Sequence, residues 1–377
     1  MALIVIRGDT MVPLSLFITA ASRRRMAAAL AAVLFAPAAF AEEIVFKDQG
    51  NREVRLAKAA ERVVSIVIPM ASTVIALDGS TRKLIGMNPT AKSAVVEGIL
   101  GKIFPEAKDI PSDVTAPNFV PNVEALTAAN PDLVIQWGDR GADIVAPITN
   151  AGLTTMLILY GTEELTRDYM TMAAKAIGKP ERIGELVEWR DRVQKDIAAK
   201  ATAIPDDKKP NVLYLGRALS DISASGTKGN YNAWSIELAG GRNASAELNG
   251  TVSVNKEQIA AWNPDVIFLN AFEAKLNIDW VYNDPILSLT NAAKSKRVYK
   301  MPLGGYRWDP PSQESPLSWM WTANLLHPEI FKYDLRTEMK TAYKTLYNYD
   351  LADNDIDNIL WLKEHGAAAD YAQFEAK

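Results

Sequence analysis

Lys179-Pro180-Glu181-Arg182-Ile183-Gly184-Glu185-Leu186-Val187-Glu188-Trp189-Arg190-Asp191-Arg192-Val193-Gln194-Lys195-Asp196-Ile197-Ala198-Ala199-Lys200-Ala201-Thr202-Ala203-Ile204-Pro205 is the stretch on which the fold turns. Pro180 suits the first turn of a helix, where its missing N–H is not needed. Apolar residues recur at Ile183, Leu186, Val187, Val193 and Ile197, a spacing that makes one narrow stripe. Charged residues cover the rest, and Pro205 closes the run. About two dozen helical residues span on the order of 36 Å. Segments of similar plan lie on either side, so the helix reads as a rigid strut between two lobes.

The similarity of the flanks is a gapped repeat. Before the strut, Arg62-Val63-Val64-Ser65-Ile66-Val67-Ile68 is a short continuous apolar run, the mark of a buried parallel strand. A helix ending at Ala76-Leu77-Asp78-Gly79 follows it. Val123-Glu124-Ala125-Leu126 then leads through Asn130-Pro131-Asp132 into Leu133-Val134-Ile135-Gln136-Trp137. After the strut, Asn211-Val212-Leu213-Tyr214-Leu215 answers the first strand, and the helix ending Leu238-Ala239-Gly240-Gly241 answers the first helix. Lys256-Glu257-Gln258-Ile259 leads through Asn263-Pro264-Asp265 into Val266-Ile267-Phe268. Residues 46–56 read as a leading hairpin, 155–159 and 298–301 as further strands, and 88–121 as an irregular binding loop. Short apolar strands alternating with helices predict an α/β fold of two small lobes with parallel sheets, joined by one long helix, with a cleft between the lobes. The expected boundaries are 42–179 for the first lobe, 180–204 for the helix and 205–377 for the second lobe with its C-terminal helices.

Composition narrows the function. Of 377 residues, 48% are hydrophobic and 23% charged, as in an ordinary globular protein. The formal charge of −4 offers no basic surface for nucleic acid. Ser22-Arg23-Arg24-Arg25, the apolar run 26–35 and Ala39-Phe40-Ala41 have the layout of a signal peptide spanning 1–41, cleaved near Ala41. The chain has no cysteine, which excludes disulfides, thiolate metal sites, a cysteine nucleophile and a lipid-anchored mature N-terminus. An exported, unanchored chain of this kind is expected in the periplasm.

Catalytic signatures are absent: there is no Gly-x4-Gly-Lys-Ser/Thr loop and no Gly-x-Ser-x-Gly elbow. The two histidines, His327 at an apparent helix end and His365 near the polar C-terminus, cannot build a metal site of several imidazoles. No catalytic residue and no resident metal or cofactor is assigned. What stands out are aromatic and cationic residues at the expected C-terminal ends of strands, where open α/β sheets bind ligands. These are Trp137, Asp139, Arg140 and Tyr160 in the first lobe, and Arg217, Lys228, Tyr231, Tyr306, Arg307 and Trp308 in the second. Aromatic walls with guanidinium groups suit a bulky, partly planar ligand carrying carboxylates, catecholates or phosphates.

The residues Arg62-Val63-Val64-Ser65 after the hairpin, and Asn122-Val123-Glu124-Ala125-Leu126 through Asn130-Pro131-Asp132-Leu133-Val134-Ile135, resemble the class III periplasmic substrate-binding proteins of ABC importers. That group handles ferric siderophores, haem, cobalamin and some oxyanions. The resemblance covers most of the chain after the signal peptide, with one departure: the first-lobe helix reads Thr73-Val74 where the family commonly has Thr-Glu. It implies a monomeric binding protein that captures a chelated ferric ion, as a ferric siderophore, and passes this small-molecule metal complex to an inner-membrane permease. It also implies that one Glu per lobe docks on the permease, the matching positions being Glu124 and Glu257. Haem, a corrinoid or a molybdate-type oxyanion remain alternative ligands. An exported α/β hydrolase using carboxylates and a sensor-type binding lobe remain alternatives of another class.

Overall fold

A computed structural model describes residues 43–376, and the expected signal peptide lies outside the described residues. Strands Ile44–Lys47 and Glu53–Leu56 pair as an antiparallel hairpin. The hairpin is fastened to the first lobe through Asp48, whose carboxylate accepts from the Arg52 side chain and from the Leu157 N–H.

Each lobe carries a four-stranded parallel sheet. In the first, the strands lie in the order Leu84–Met87, Val63–Ser65, Leu133–Trp137, Thr155–Ile158. In the second, they lie in the order Arg242–Asn243, Asn211–Leu215, Val266–Leu269, Val298–Lys300. Counted along the chain, both sheets run second, first, third, fourth. The repeat read from the sequence is therefore a repeat of topology.

The joints explain why its motif recurs. Asn122 caps helix Val123–Ala129 by accepting from Ala125 N at 3.2 Å, and Asn255 caps Lys256–Trp262 by accepting from Gln258 N at 2.7 Å. Both helices end on an Asn in the left-handed region, Asn130 at φ 45° and Asn263 at φ 44°, a conformation Asn tolerates better than most residues. The following Pro disfavours continuation of the helix. The Asp then ties the start of the third strand to the first: Asp132 accepts from the Glu61 and Arg62 N–H groups, and Asp265 from that of Asn211. Asn-Pro-Asp thus turns the chain and sets the strand start in both lobes.

Between the lobes runs helix Glu181–Thr202, with Leu186, Arg190, Val193, Ile197 and Ala201 buried. The inward stripe differs from the expected one, since Ile183 and Val187 are only half-buried and Arg190 is fully enclosed. Arg190 is tolerated there because it is saturated. It forms a bidentate pair with the buried Glu163 (2.6 and 2.7 Å), donates to the Ser312 carbonyl at 2.6 Å, and lies over the Trp319 ring. Glu163 opens a first-lobe helix, Glu163–Ala176, so this pair fixes the first lobe to the strut.

The C-terminal part builds the centre of the molecule. All 12 residues of helix Ser315–Leu326 are buried, and it packs along the linking helix. Helix Leu335–Tyr347 packs against Ser315–Leu326 and also reaches Met70–Asp78 of the first lobe. The buried Glu314 carboxylate gathers this region, accepting from Gly305 N (3.0 Å), Trp308 Nε1 (2.9 Å), Tyr343 OH (3.0 Å) and Tyr347 OH (2.5 Å). A Cβ at Gly304 or Gly305 would stand 2.2 or 2.4 Å from that carboxylate, so the Gly-Gly pair is a requirement of close approach.

His327 is the C-cap residue of Ser315–Leu326 and contacts the Gly240 carbonyl at 3.0 Å. His365, expected in a polar terminus, is instead fully buried and stacked on Tyr371 at 4.0 Å. It accepts the Lys300 N–H and donates to the Trp361 carbonyl, and burial pushes its imidazole down to about 4. Among the described residues, no helix is long and apolar enough to cross a membrane.

Candidate functional site

The C-terminal ends of the two sheets carry the candidate residues, and there the lobes meet. On the first lobe, Trp137 closes the third strand and lies edge-on to Phe119 (6.1 Å) and Tyr160 (6.3 Å). The exposed Arg140 guanidinium sits 4.9 Å from the Phe119 ring centre and 5.0 Å from that of Trp137. Tyr160 is held by its N–H, which donates to Asp139, and burial pushes its phenol up to about 12 against a Tyr231 backbone hydrogen bond and the Arg140 charge.

Phe119 is positioned with backbone strain. It and Asn118 have φ of 64° and 59°, and a bulky residue in that region costs about 1–3 kcal/mol. The buried Gln136 holds the loop, its amide donating to the Phe119 and Ile144 carbonyls while its oxygen accepts from Trp137 N.

On the second lobe, Arg217 follows the first strand and Phe272 follows the third. The Arg217 and Arg307 guanidiniums both lie over the Phe272 ring, at 4.8 and 5.0 Å. Glu273 clamps the Arg217 loop by accepting from Ala218 N, Leu219 N and Asn270 Nδ2. Although burial opposes it, the Asn270 amide and those N–H groups hold the Glu273 carboxyl below its usual range.

Arg307 spans both lobes: Nε donates to the Ala271 carbonyl (2.9 Å), Nη1 to the Thr90 carbonyl (3.0 Å) and Nη2 to Ser93 Oγ (3.3 Å). Beside it, the fully buried Asp309 accepts on Oδ2 from Tyr214 OH (2.9 Å) and Ala271 N (3.1 Å). Three buried polar atoms in this region have no hydrogen-bond partner: Trp137 Nε1, Tyr306 OH and Asp309 Oδ1. Buried polar groups are nearly always paired, so these three atoms need partners that the protein's own groups do not supply.

The structure thus brings Trp137, Arg140, Tyr160, Arg217, Tyr306 and Arg307 to one region. Lys228 is exposed on a loop whose neighbour Gly229 approaches Gly161 of the first lobe, at the rim. The side chains of Tyr231 and Trp308 are engaged in the interior instead. The Tyr231 hydroxyl accepts from Trp319 Nε1, and Trp308 Nε1 donates to Glu314, because the helices after residue 314 bury them. Phe119, Tyr214, Phe272 and Asp309 were not singled out in the sequence. Asp309 adjoins the Tyr-Arg-Trp run and Phe272 stands just past a strand end, which are the signals that could have found them. Among the described residues, no group of three or more His, Cys, Asp or Glu is placed to hold a bare metal ion.

Glu124 and Glu257 occupy the same position in their respective lobes, in the first turn of an Asn-capped helix. Both are exposed, and neither has an ion-pair partner among the described residues.

Two lobes of identical strand order joined by one linking helix define the class. The family model for the periplasmic binding proteins matches residues 111–303, and the chain belongs to that family, in the helix-linked class that serves ABC importers. Its members are substrate-binding proteins, not enzymes, that deliver small molecules to ABC permeases. Among particular relatives, a solved periplasmic solute binding protein from Veillonella parvula is 32% identical, with a TM-score of 0.77 over 86% of this chain and 99% of its own. The Fe(3+)-citrate-binding protein YfmC of Bacillus subtilis is 28% identical over 180 residues, which is 48% of this chain and 56% of that protein. The molybdate-binding protein MolA of Haemophilus influenzae is 24% identical over 334 residues, 82% of this chain and 92% of that protein.

Proposed function

We propose that this protein captures an anionic ferric chelate of the siderophore type between its lobes, in the periplasm, and releases it to an inner-membrane permease. The observation that carries the reading is the set of three guanidiniums laid on aromatic faces at the meeting strand ends: Arg140 on Phe119 and Trp137, Arg217 and Arg307 on Phe272. The exposed Arg140 and Arg217 keep N–H groups for carboxylate or catecholate oxygens, Arg307 adds positive charge while its nitrogens bond both lobes, and the rings give a chelate flat walls. The protein works as a monomer with no resident cofactor and performs no covalent chemistry. Glu124 and Glu257, one exposed carboxylate per lobe, orient it on the permease and raise the rate of encounter more than the final affinity.

A second reading, a molybdate-type oxyanion, is favoured by one observation: the match to MolA runs over 92% of that protein, whereas the match to the ferric-citrate binder runs over 56%. Calorimetric titration with ferric citrate, ferric hydroxamate and catecholate chelates, haemin, cobalamin and molybdate separates the two. One-to-one saturation by a ferric chelate supports the first reading, and binding of molybdate alone selects the second.

A further inference from the structure

A carboxylate stands in the middle of this cationic site. Asp309 belongs to the same run as Tyr306 and Arg307, and it is fully buried. One of its oxygens is saturated by Tyr214 OH and Ala271 N, while Oδ1 has no partner. Its neighbours are those of the site: the charges of Asp309 and Arg140 both act on Tyr160 across the lobe boundary, and those of Asp309, Arg307 and Arg217 act on Tyr306. Burial pushes the Asp309 carboxyl up, opposed by the Ala271 N–H, the Tyr214 hydroxyl and the Arg307 charge. With Oδ2 engaged by two donors, Oδ1 is the oxygen left to meet a donor on a ligand.

An acceptor in an anion site has a consequence for selectivity. A donor-free anion brings oxygen lone pairs against Oδ1 and leaves it unpaired. A ligand with a hydroxyl or N–H pairs it. Sites built around a ligand's donor reject analogues that lack it far more strongly than apolar pockets reject a misfit. The other two unpartnered atoms, Trp137 Nε1 and the Tyr306 hydroxyl, can donate to the ligand's oxygens.

We propose that Asp309 is a specificity determinant that accepts a hydrogen bond from the ligand, so that the site selects an anion bearing a hydroxyl or amide N–H over donor-free anions. This rests on the anion-binding reading above and sharpens it. An amide-bearing siderophore chelate fits, and a bare oxyanion does not.

The test is calorimetric titration of the wild type and Asp309→Asn with four probes: a ferric catecholate chelate bearing amide N–H groups, ferric gluconate bearing hydroxyls, ferric oxalate and molybdate. In Asp309→Asn the amide oxygen must take the Oδ2 place to accept from Tyr214 and Ala271, which puts an NH2 donor where the free acceptor was. The wild type should bind at least one donor-bearing probe roughly 100-fold more tightly than either donor-free one. Which of the two it prefers identifies the donor as amide or hydroxyl. Asp309→Asn should erase the preference and bind the donor-free probes more tightly than the wild type does. Thermal unfolding checks that the variant folds, and if it does not, Tyr214→Phe replaces it: with a second acceptor site unmet, the preference should widen. A wild type that prefers a donor-free probe, or a folded variant with unchanged preference, overturns this inference while anion binding stands. No binding of any probe overturns both.

Discussion

The two lobes share a frame and differ in what they hang on it. Strand order, Asn caps, left-handed Asn termini and the Asp tie to the first strand are the same in both. At the strand ends they part. The first lobe offers Arg140, exposed and resting on aromatic faces, whereas the second sends Arg307, buried and bonded to both lobes. Attachment to the linking helix differs too. The first lobe uses the buried Glu163–Arg190 pair, while the second sets its helix Tyr231–Leu238 against the linking helix and packs Trp234 on Trp319 of the neighbouring helix Ser315–Leu326. Positions that set the chain's path repeat, and the candidate ligand positions at the strand ends do not.

The largest effect should come from breaking that attachment. Arg190→Ala leaves the buried Glu163 carboxylate with Arg167 alone, 2.9 Å from one oxygen, which costs on the order of 3 kcal/mol and should appear as a lowered urea midpoint. The double variant Arg190→Met with Glu163→Gln removes both charges and should recover much of the loss.

Acid should act on the second lobe next. His365 titrates at about 4 when folded, below its ordinary 6.5, so the folded state binds its proton later than the unfolded state. The associated stability is fully present above pH 6.5 and is lost as pH falls toward 4, about 3 kcal/mol in all. His365→Gln should flatten that limb of a stability-versus-pH curve.

Ligand binding should separate the two arginines. Arg307→Ala removes a buried, lobe-spanning guanidinium and should weaken binding about 30-fold or more, the scale of a buried arginine anchor. Arg140→Ala removes an exposed stacked one and should weaken it about threefold. Equal losses in titration would mean that the burial difference carries no functional weight.

The shared frame predicts equality instead. Asn122→Ala and Asn255→Ala should each cost about 1 kcal/mol, measurable by thermal unfolding. The smallest effect belongs to Glu124→Ala and Glu257→Ala. Stability should stay within about 0.5 kcal/mol of wild type, and ligand affinity should not move, while uptake through the permease slows.

What was legible in the sequence follows the same division. The linking helix and the lobe repeat could be read because they rest on local signals: helical spacing, Asn-Pro-Asp joints and short apolar strands. Trp137, Arg140 and Arg217 stood out as aromatic or cationic residues at strand ends. Burial of Arg190 was not legible, because its partner Glu163 comes from another helix. His365 was misread for the same reason: nothing near it in the chain announces the Lys300 N–H that it accepts. Tyr231 and Trp308 have the chemistry of ligand-facing residues, yet Trp319 and Glu314, distant or across a loop, hold them in the core. The role of Asp309 depends on Tyr214 and Ala271, which the fold brings to it from distant positions in the chain.

The proposed site places ligand between the two dissimilar strand ends, against Trp137. A tryptophan fluorescence titration of the wild type, Trp137→Phe and Arg307→Ala with a ferric siderophore chelate checks this placement. The wild type should show saturable quenching, Trp137→Phe a reduced signal with binding weakened about tenfold by loss of the indole N–H, and Arg307→Ala a shift of the curve by about 30-fold or more. Full quenching in Trp137→Phe together with unchanged affinity in Arg307→Ala would put the ligand elsewhere and contradict it.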